Sequence, residues 1–163
     1  MTAGSPYVAV IGPGRADDQV LAAAEAVGRE LARRGAAMVC GGLGGAMEAA
    51  CRGARAEGGL TIGILPGADR SQANPFVSVA IPTGLGELRN GLVVRAGDAV
   101  IAVGGEFGTL SEIGFALKLG RPVVGLTTWE LARGGQPVTD AIVVADDPGA
   151  AAARALELAR GAS

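Results

Sequence analysis

Histidine is absent from this 163-residue chain. That excludes a histidine general base, a Ser-His-Asp triad and histidine-rich metal sites, and no bound metal is expected. Lysine occurs once, at Lys118, so arginine must supply any side-chain charge for a phosphate. The two cysteines, Cys40 and Cys51, are too few for a disulfide framework, and buried free thiols are expected. Aromatic residues make up only 3% of the chain, which leaves Val, Ala, Leu and Ile to fill the interior. No basic run occurs and the net charge is −2, so no nucleic-acid partner is expected. No apolar run reaches the length of a membrane span without a glycine, a charge or a turn, and Met1 to Gly12 lacks the pattern of an export leader. These absences lead to the expectation of a cytoplasmic protein with no membrane partner.

Glycine is what the chain has in quantity, 28 residues without a Gly-X-Y period. That many glycines imply tight turns and close backbone approaches. Between the turns, short apolar runs alternate with helical patterns. "YVAVIG" reads as a strand and "DDQVLAAAEAVGRELARRG" as a helix with Val20, Ala24, Val27 and Leu31 on one face and Gly35 as its stop. "AAMVCGG" is a second strand. "GGAMEAACRGARAEGG" is a helix with Met47, Cys51 and Ala54 inward. Further strands are "LTIGILPG", "FVSVAIP", "DAVIAVGG", "RPVVGLT" and "AIVVA", with "GELRNGLVVRAG" and "GTLSEIGFALKLG" helical and "QPVTD" a loop. Asp147 followed by Pro148 marks the start of a last helix. Continuous apolar strands alternating with helices predict one Rossmann-like, doubly wound α/β domain over residues 1–163. Its sheet should be mostly parallel, of about six or seven strands, with helices on both faces. The first glycine turn is "GPG" and not GxGxxG, so NAD binding in the usual manner is not expected.

Two turns are candidates for chemistry. "CGGLGGAM" contains Gly41, Gly42, Gly44, Gly45 and Met47. "GGEFGTLSE" contains Gly104, Gly105, Glu106, Phe107, Gly108, Thr109 and Glu112. Each lies at the carboxyl end of an expected strand and opens a helix, where ligands of α/β sheets sit and where free N–H groups favour anions. Small residues that merely let strand and helix pack closely would give the same pattern. Thr109 and Glu112 have the spacing of a capping box, with the Glu112 carboxylate beside the crevice. Arg89, in "LRNGLVVR", is the nearest cation if its helix end faces the crevice, and otherwise a solvated residue. Asp69, Arg70, Gln72 and Asn74, in "ADRSQANP", suit either a ligand contact or an ordinary surface loop.

These segments resemble those of the LOG-like proteins, the so-called lysine decarboxylase-like family of Rossmann-like proteins. The family's GGGxxGLMG corresponds to Cys40 through Glu48, with Cys40, Ala46 and Glu48 as departures. Its PGGxGTxxE corresponds to Gly104 through Glu112, with Gly104 and Glu106 as departures. The family's arginine falls on Arg89 and its strand-start acid on Asp98. "GGLGGAMEA", "GILPG" and "GGEFGTLSEI" are similar to a short subgroup, the molybdenum cofactor carrier proteins. A decarboxylase using PLP is not expected, because the lone Lys118 lies late in its helix.

The resemblance implies two functions. One is binding of a phosphorylated small molecule, a nucleotide or the molybdenum cofactor, at the glycine turns. The other is hydrolysis of nucleoside 5′-monophosphates to free base and ribose 5-phosphate, with Arg89 and Glu112 catalytic and no cofactor required. It also implies a homodimer, for which the helix Leu88 to Ala96, with "LVV" in its middle, is a candidate contact surface. Core packing explains the same run equally well.

Overall fold

The computed structural model describes residues 4–161. Residues 1–3 and 162–163, which the expected domain 1–163 also takes in, lie outside the described residues. Strands β1 (Tyr7–Ile11), β2 (Ala37–Cys40), β3 (Thr61–Leu65), β4 (Val79–Pro82), β5 (Ala99–Val103) and β6 (Val123–Leu126) are followed by a small hairpin, β7 (Ala132–Arg133) and β8 (Gln136–Pro137), and by β9 (Ile142–Val144). The helices are α1 (Asp18–Arg33), α2 (Ala46–Ala56), α3 (Asn90–Ala96), α4 (Phe107–Lys118) and α5 (Pro148–Gly161).

The main sheet has seven strands in the order β4-β3-β2-β1-β5-β6-β9, and every pairing in it is parallel. Strand order reverses between β1 and β5, which opens a crevice beyond their carboxyl ends. Alternation along the strands divides the core. Val8, Val10, Met38, Ile101 and Val103 face α1, α2 and α5. Ala9, Ile11, Val39, Val100 and Ala102 face α3 and α4. Both faces are covered, so the central strands are apolar throughout, as a doubly wound sheet requires.

Local signals set the helix ends. Asp17 Oδ1 accepts the Val20 N–H at 2.9 Å, and Asp147 Oδ1 accepts the Ala150 N–H at 2.8 Å. α1 buries Ala24, Val27, Gly28 and Leu31. It crosses α2 backbone to backbone: a Cβ on Gly28 would strike the Ala50 carbonyl, and one on Gly53 the Glu25 carbonyl. Arginines from both helices, Arg29, Arg33 and Arg52, pair with Glu25, Glu30 and Glu57 around this crossing. These pairs are solvent-facing and each adds little.

Two expectations need correction. The "LVV" run is not a contact surface as a whole: Val93 and Val94 are buried in the core and Leu92 alone is exposed. Helical geometry sends neighbouring residues to different faces. "QPVTD" is not simply loop, because Gln136 and Pro137 pair with Ala132 and Arg133 across a Gly134–Gly135 turn. Both glycines have positive φ, 57° and 79°, the conformation of the tightest hairpin turns. Asp98 stands at the start of β5, as the resemblance implies, and its carboxylate accepts the Tyr7 N–H at 2.9 Å and ties β5 to β1. Among the described residues no helix is long and apolar enough to cross a membrane.

Candidate functional site

The two glycine turns lie on the same edge of the sheet and are built differently. In the β2–α2 turn the glycines are held inward. The Gly41 carbonyl accepts from Arg89 Nη2 at 3.3 Å. Gly42 donates to Cys40 Sγ and accepts from the Asn74 N–H, with φ at 75°. Gly45, φ 64°, lies so close to the Pro13 and Gly14 backbone that a Cβ would strike it. Gly44 lies beside Gly14. The crevice wall receives Met47 and Leu43 from this turn. Asn74 is a clamp: its amide donates to the Leu43 carbonyl at 2.9 Å and accepts the Phe76 N–H at 3.0 Å.

Beneath this turn Cys40 and Cys51 are free thiols, fully buried, with their sulfurs 3.5 Å apart. The hydrogen bond to Cys40, together with burial, pushes the Cys51 thiol up, so it stays protonated.

The β5–α4 turn faces outward. α4 begins at Phe107 with Glu106 as its cap, and the first helical bond runs from the Leu110 N–H to the Glu106 carbonyl at 3.0 Å. The amides of Phe107, Gly108 and Thr109 therefore precede the helical ladder. Gly104 donates to the Leu126 carbonyl, and Gly105 lies under the Trp129 ring. Phe107, 76% exposed, packs against Trp129 with ring centroids 5.7 Å apart, and Trp129 Nε1 donates to the Glu106 carbonyl.

The capping box does not form. Thr109 is the third residue of α4 and not its cap, because the chain turns into the helix three residues earlier than the Thr-x-x-Glu spacing implies. Both side chains are thereby released from backbone duty. Thr109 is 2% exposed and its Oγ1 has no hydrogen-bond partner. Glu112, one turn on, is buried, and burial pushes its carboxyl up to about 7, with Arg89 pulling the other way.

Arg89 is not a solvated residue. It is 7% exposed and lines the same crevice as Thr109 and Glu112. Its Nη1 donates to Asn90 Oδ1, and its Nε has no partner. Burial lowers its pKa, Glu112 raises it, and the guanidinium stays charged. None of the salt bridges among the described residues includes Arg89 or Glu112. Gly12, Pro13 and Gly14, Glu106 and Gly108 complete the walls of a crevice of about 360 Å³.

Of the residues singled out in the sequence, the crevice thus gathers Met47, Arg89, Glu106, Gly108, Thr109 and Glu112. Sequence reasoning missed the Gly12–Gly14 wall, although "GPG" at a strand end was its signal. It also missed Asn90, the neighbour that holds Arg89. Lys118 ends α4, exposed and at the opposite end of the helix from the crevice. Among the described residues there is no group of three or more His, Cys, Asp or Glu side chains that could hold a metal ion.

Both turns, the arginine between them and the sheet order describe a known family. The profile of the SLOG cluster4 family matches residues 5–152. The chain belongs to this family. As a SLOG protein, it resembles molybdenum cofactor carrier proteins closely in structure. The molybdenum cofactor binding protein of the phototrophic bacterium Rippkaea orientalis superposes with a TM-score of 0.84 at 35% identity, over 98% of each chain. The Moco carrier protein of Chlamydomonas reinhardtii superposes with a TM-score of 0.84 at 34% identity, over 96% of this chain and 99% of that one. An uncharacterized protein of Archaeoglobus fulgidus is 43% identical over 119 residues, 73% of this chain and 78% of the relative.

Proposed function

We propose that this SLOG protein binds a phosphorylated small molecule, a nucleotide or a phosphorylated pterin such as the molybdenum cofactor, with the phosphate at the start of α4. The observation that carries this is the pair of orphaned donors, Thr109 Oγ1 and Arg89 Nε, both buried on the wall of one crevice. A buried polar atom without a partner costs about 1–3 kcal/mol, and a ligand oxygen would recover it. Next to them the first-turn amides of α4 and its dipole favour an anion. The Glu106 carboxylate is exposed, so water screens its repulsion. The donor set fits the phosphate of the molybdenum cofactor, which would be held by that phosphate through Arg89, Thr109 and the α4 amides. Bound cofactor would bring the redox chemistry of its metal; carrying it requires no bond to be made or broken by this chain. The resemblance to the Rippkaea and Chlamydomonas proteins supports the same reading.

A second reading rests on Glu112, buried and pushed up to about 7 beside Arg89. In its ionised form it would stabilise positive charge developing at C1′ of a nucleoside 5′-monophosphate as the N-glycosidic bond breaks. Incubation with AMP and other nucleoside monophosphates, with free base quantified, separates the two. Release of base that Glu112→Gln abolishes makes the protein a phosphoribohydrolase. Saturable binding without release makes it a carrier. Absence of binding by any phosphate monoester overturns both. The family reading also carries a homodimer, supported by exposed Leu88, Leu92, Phe115 and Leu119. Light scattering at micromolar concentration tests it.

A further inference from the structure

Two crevices open at the strand-order reversal. Pro13 and Glu106 line both and form the wall between them. The first holds Thr109, Arg89 and Glu112. The second, of about 480 Å³, lies on the α1 side, with Val20, Ala23, Val103 and Leu126 on its walls. Polar side chains, Arg15, Asp17, Gln19 and Thr127 among them, share the lining with these apolar ones, a mixture that suits a small polar molecule, and each crevice is large enough for one half of a dinucleotide.

The turn between β5 and α4 borders both. Gly104, Gly105 and Glu106 line the second crevice, while Glu106, Gly108 and Thr109 line the first. A phosphate on the amides of this turn would therefore stand at the junction. A ligand that ended in that phosphate would occupy the first crevice only. A ligand that continued through a second phosphate would enter the other. Arg15 stands at the mouth of the second crevice and takes part in none of the salt bridges among the described residues. An exposed guanidinium in that place suits the second phosphate. Asp146, at the same mouth, offers an acceptor to the exocyclic amino group of a base.

We propose that the second crevice receives the far half of a pyrophosphate-linked, dinucleotide-type ligand, with Arg15 on its second phosphate and its ring between Ala23 and Leu126. This rests on the phosphate-binding reading of the first crevice. A dinucleotide would then straddle the reversal with its pyrophosphate over Glu106, without the GxGxxG turn this chain lacks.

Calorimetric titration of the full chain with AMP, GMP and the pyrophosphate-linked dinucleotides of adenosine and of guanosine tests this. The dinucleotides are expected to bind about tenfold tighter than the mononucleotides. Arg15→Gln, at the surface, and Ala23→Leu, which fills the crevice, should each remove that advantage and leave mononucleotide affinity unchanged. Equal affinity of the two ligand sizes in the unsubstituted protein overturns the proposal, as does an advantage that survives in both variants. In either case mononucleotide binding weakened by Thr109→Val leaves the phosphate reading standing. If no phosphate-bearing ligand binds, that reading falls and this proposal falls with it.

Discussion

The β2–α2 turn and the β5–α4 turn look alike as strings of glycine and behave as opposites. In the first, Gly42 and Gly45 are pressed against neighbouring backbone, and Gly41 gives its carbonyl to Arg89. In the second, Glu106 and Phe107 stand in solvent while Thr109 is buried without a partner. One turn spends its glycines on packing. The other leaves donors free at a helix start. A glycine pattern signals close approach but does not say what approaches, backbone or ligand.

The largest test of this contrast is Glu112, which belongs to the open turn. Burial pushes its carboxyl up to about 7 in the fold, against 4.5 for an ordinary glutamate. The native state therefore binds a proton more tightly than the unfolded chain, and stability is lost as pH rises from about 4.5 through 7. Glu112→Gln should stabilise the protein by about 3 kcal/mol at pH 8, and by much less at pH 5. Urea denaturation at the two pH values measures this, and a pH-independent difference would remove Glu112 from the buried wall.

Next in size is Gly45→Ala in the packed turn. It forces a Cβ onto a left-handed residue and against the Pro13 carbonyl. A loss of about 2 kcal/mol in stability is expected, with ligand affinity of the folded protein unchanged. If affinity falls and stability does not, the packed turn is a ligand cradle and the contrast fails.

Thr109→Val should act in the reverse sense. Stability should hold or rise slightly, since an unpaired buried hydroxyl is removed. Affinity for a phosphate ligand should fall about tenfold, the worth of one hydrogen bond to a charged group. Calorimetry against AMP gives the number. The smallest effect is expected from Phe107→Ala, which removes the contact with Trp129 and costs below about 1 kcal/mol. Trp129 is the only tryptophan, so its emission should shift in this variant and on ligand binding to the open turn. An unchanged emission in both cases would place Trp129 away from the ligand.

All seven strands of the main sheet and the five helices were legible in the sequence because each carries its own periodicity and its own stop. The β7–β8 hairpin was not, since two-residue strands leave no period to read, and only the Gly134–Gly135 pair hinted at it. The candidate site was legible as residue names, Arg89, Thr109 and Glu112, but not as roles. Thr-x-x-Glu spacing suits a capping box, and a shift in where α4 starts turned it into an orphaned hydroxyl and a buried acid.

By itself the sequence determined the alternation of strand and helix, the absence of histidine chemistry and the three segments that carry the family pattern. These are local properties: propensity, period and residue type act within a few positions. Tertiary structure alone decided that Arg89 would be buried 48 positions from the Gly41 carbonyl it donates to. It alone decided which glycine turn would close and which would stay open, and that Pro13 and Glu106 would divide the reversal into two crevices. Burial and orphaned donors depend on what neighbouring strands bring alongside, and no window of sequence contains that.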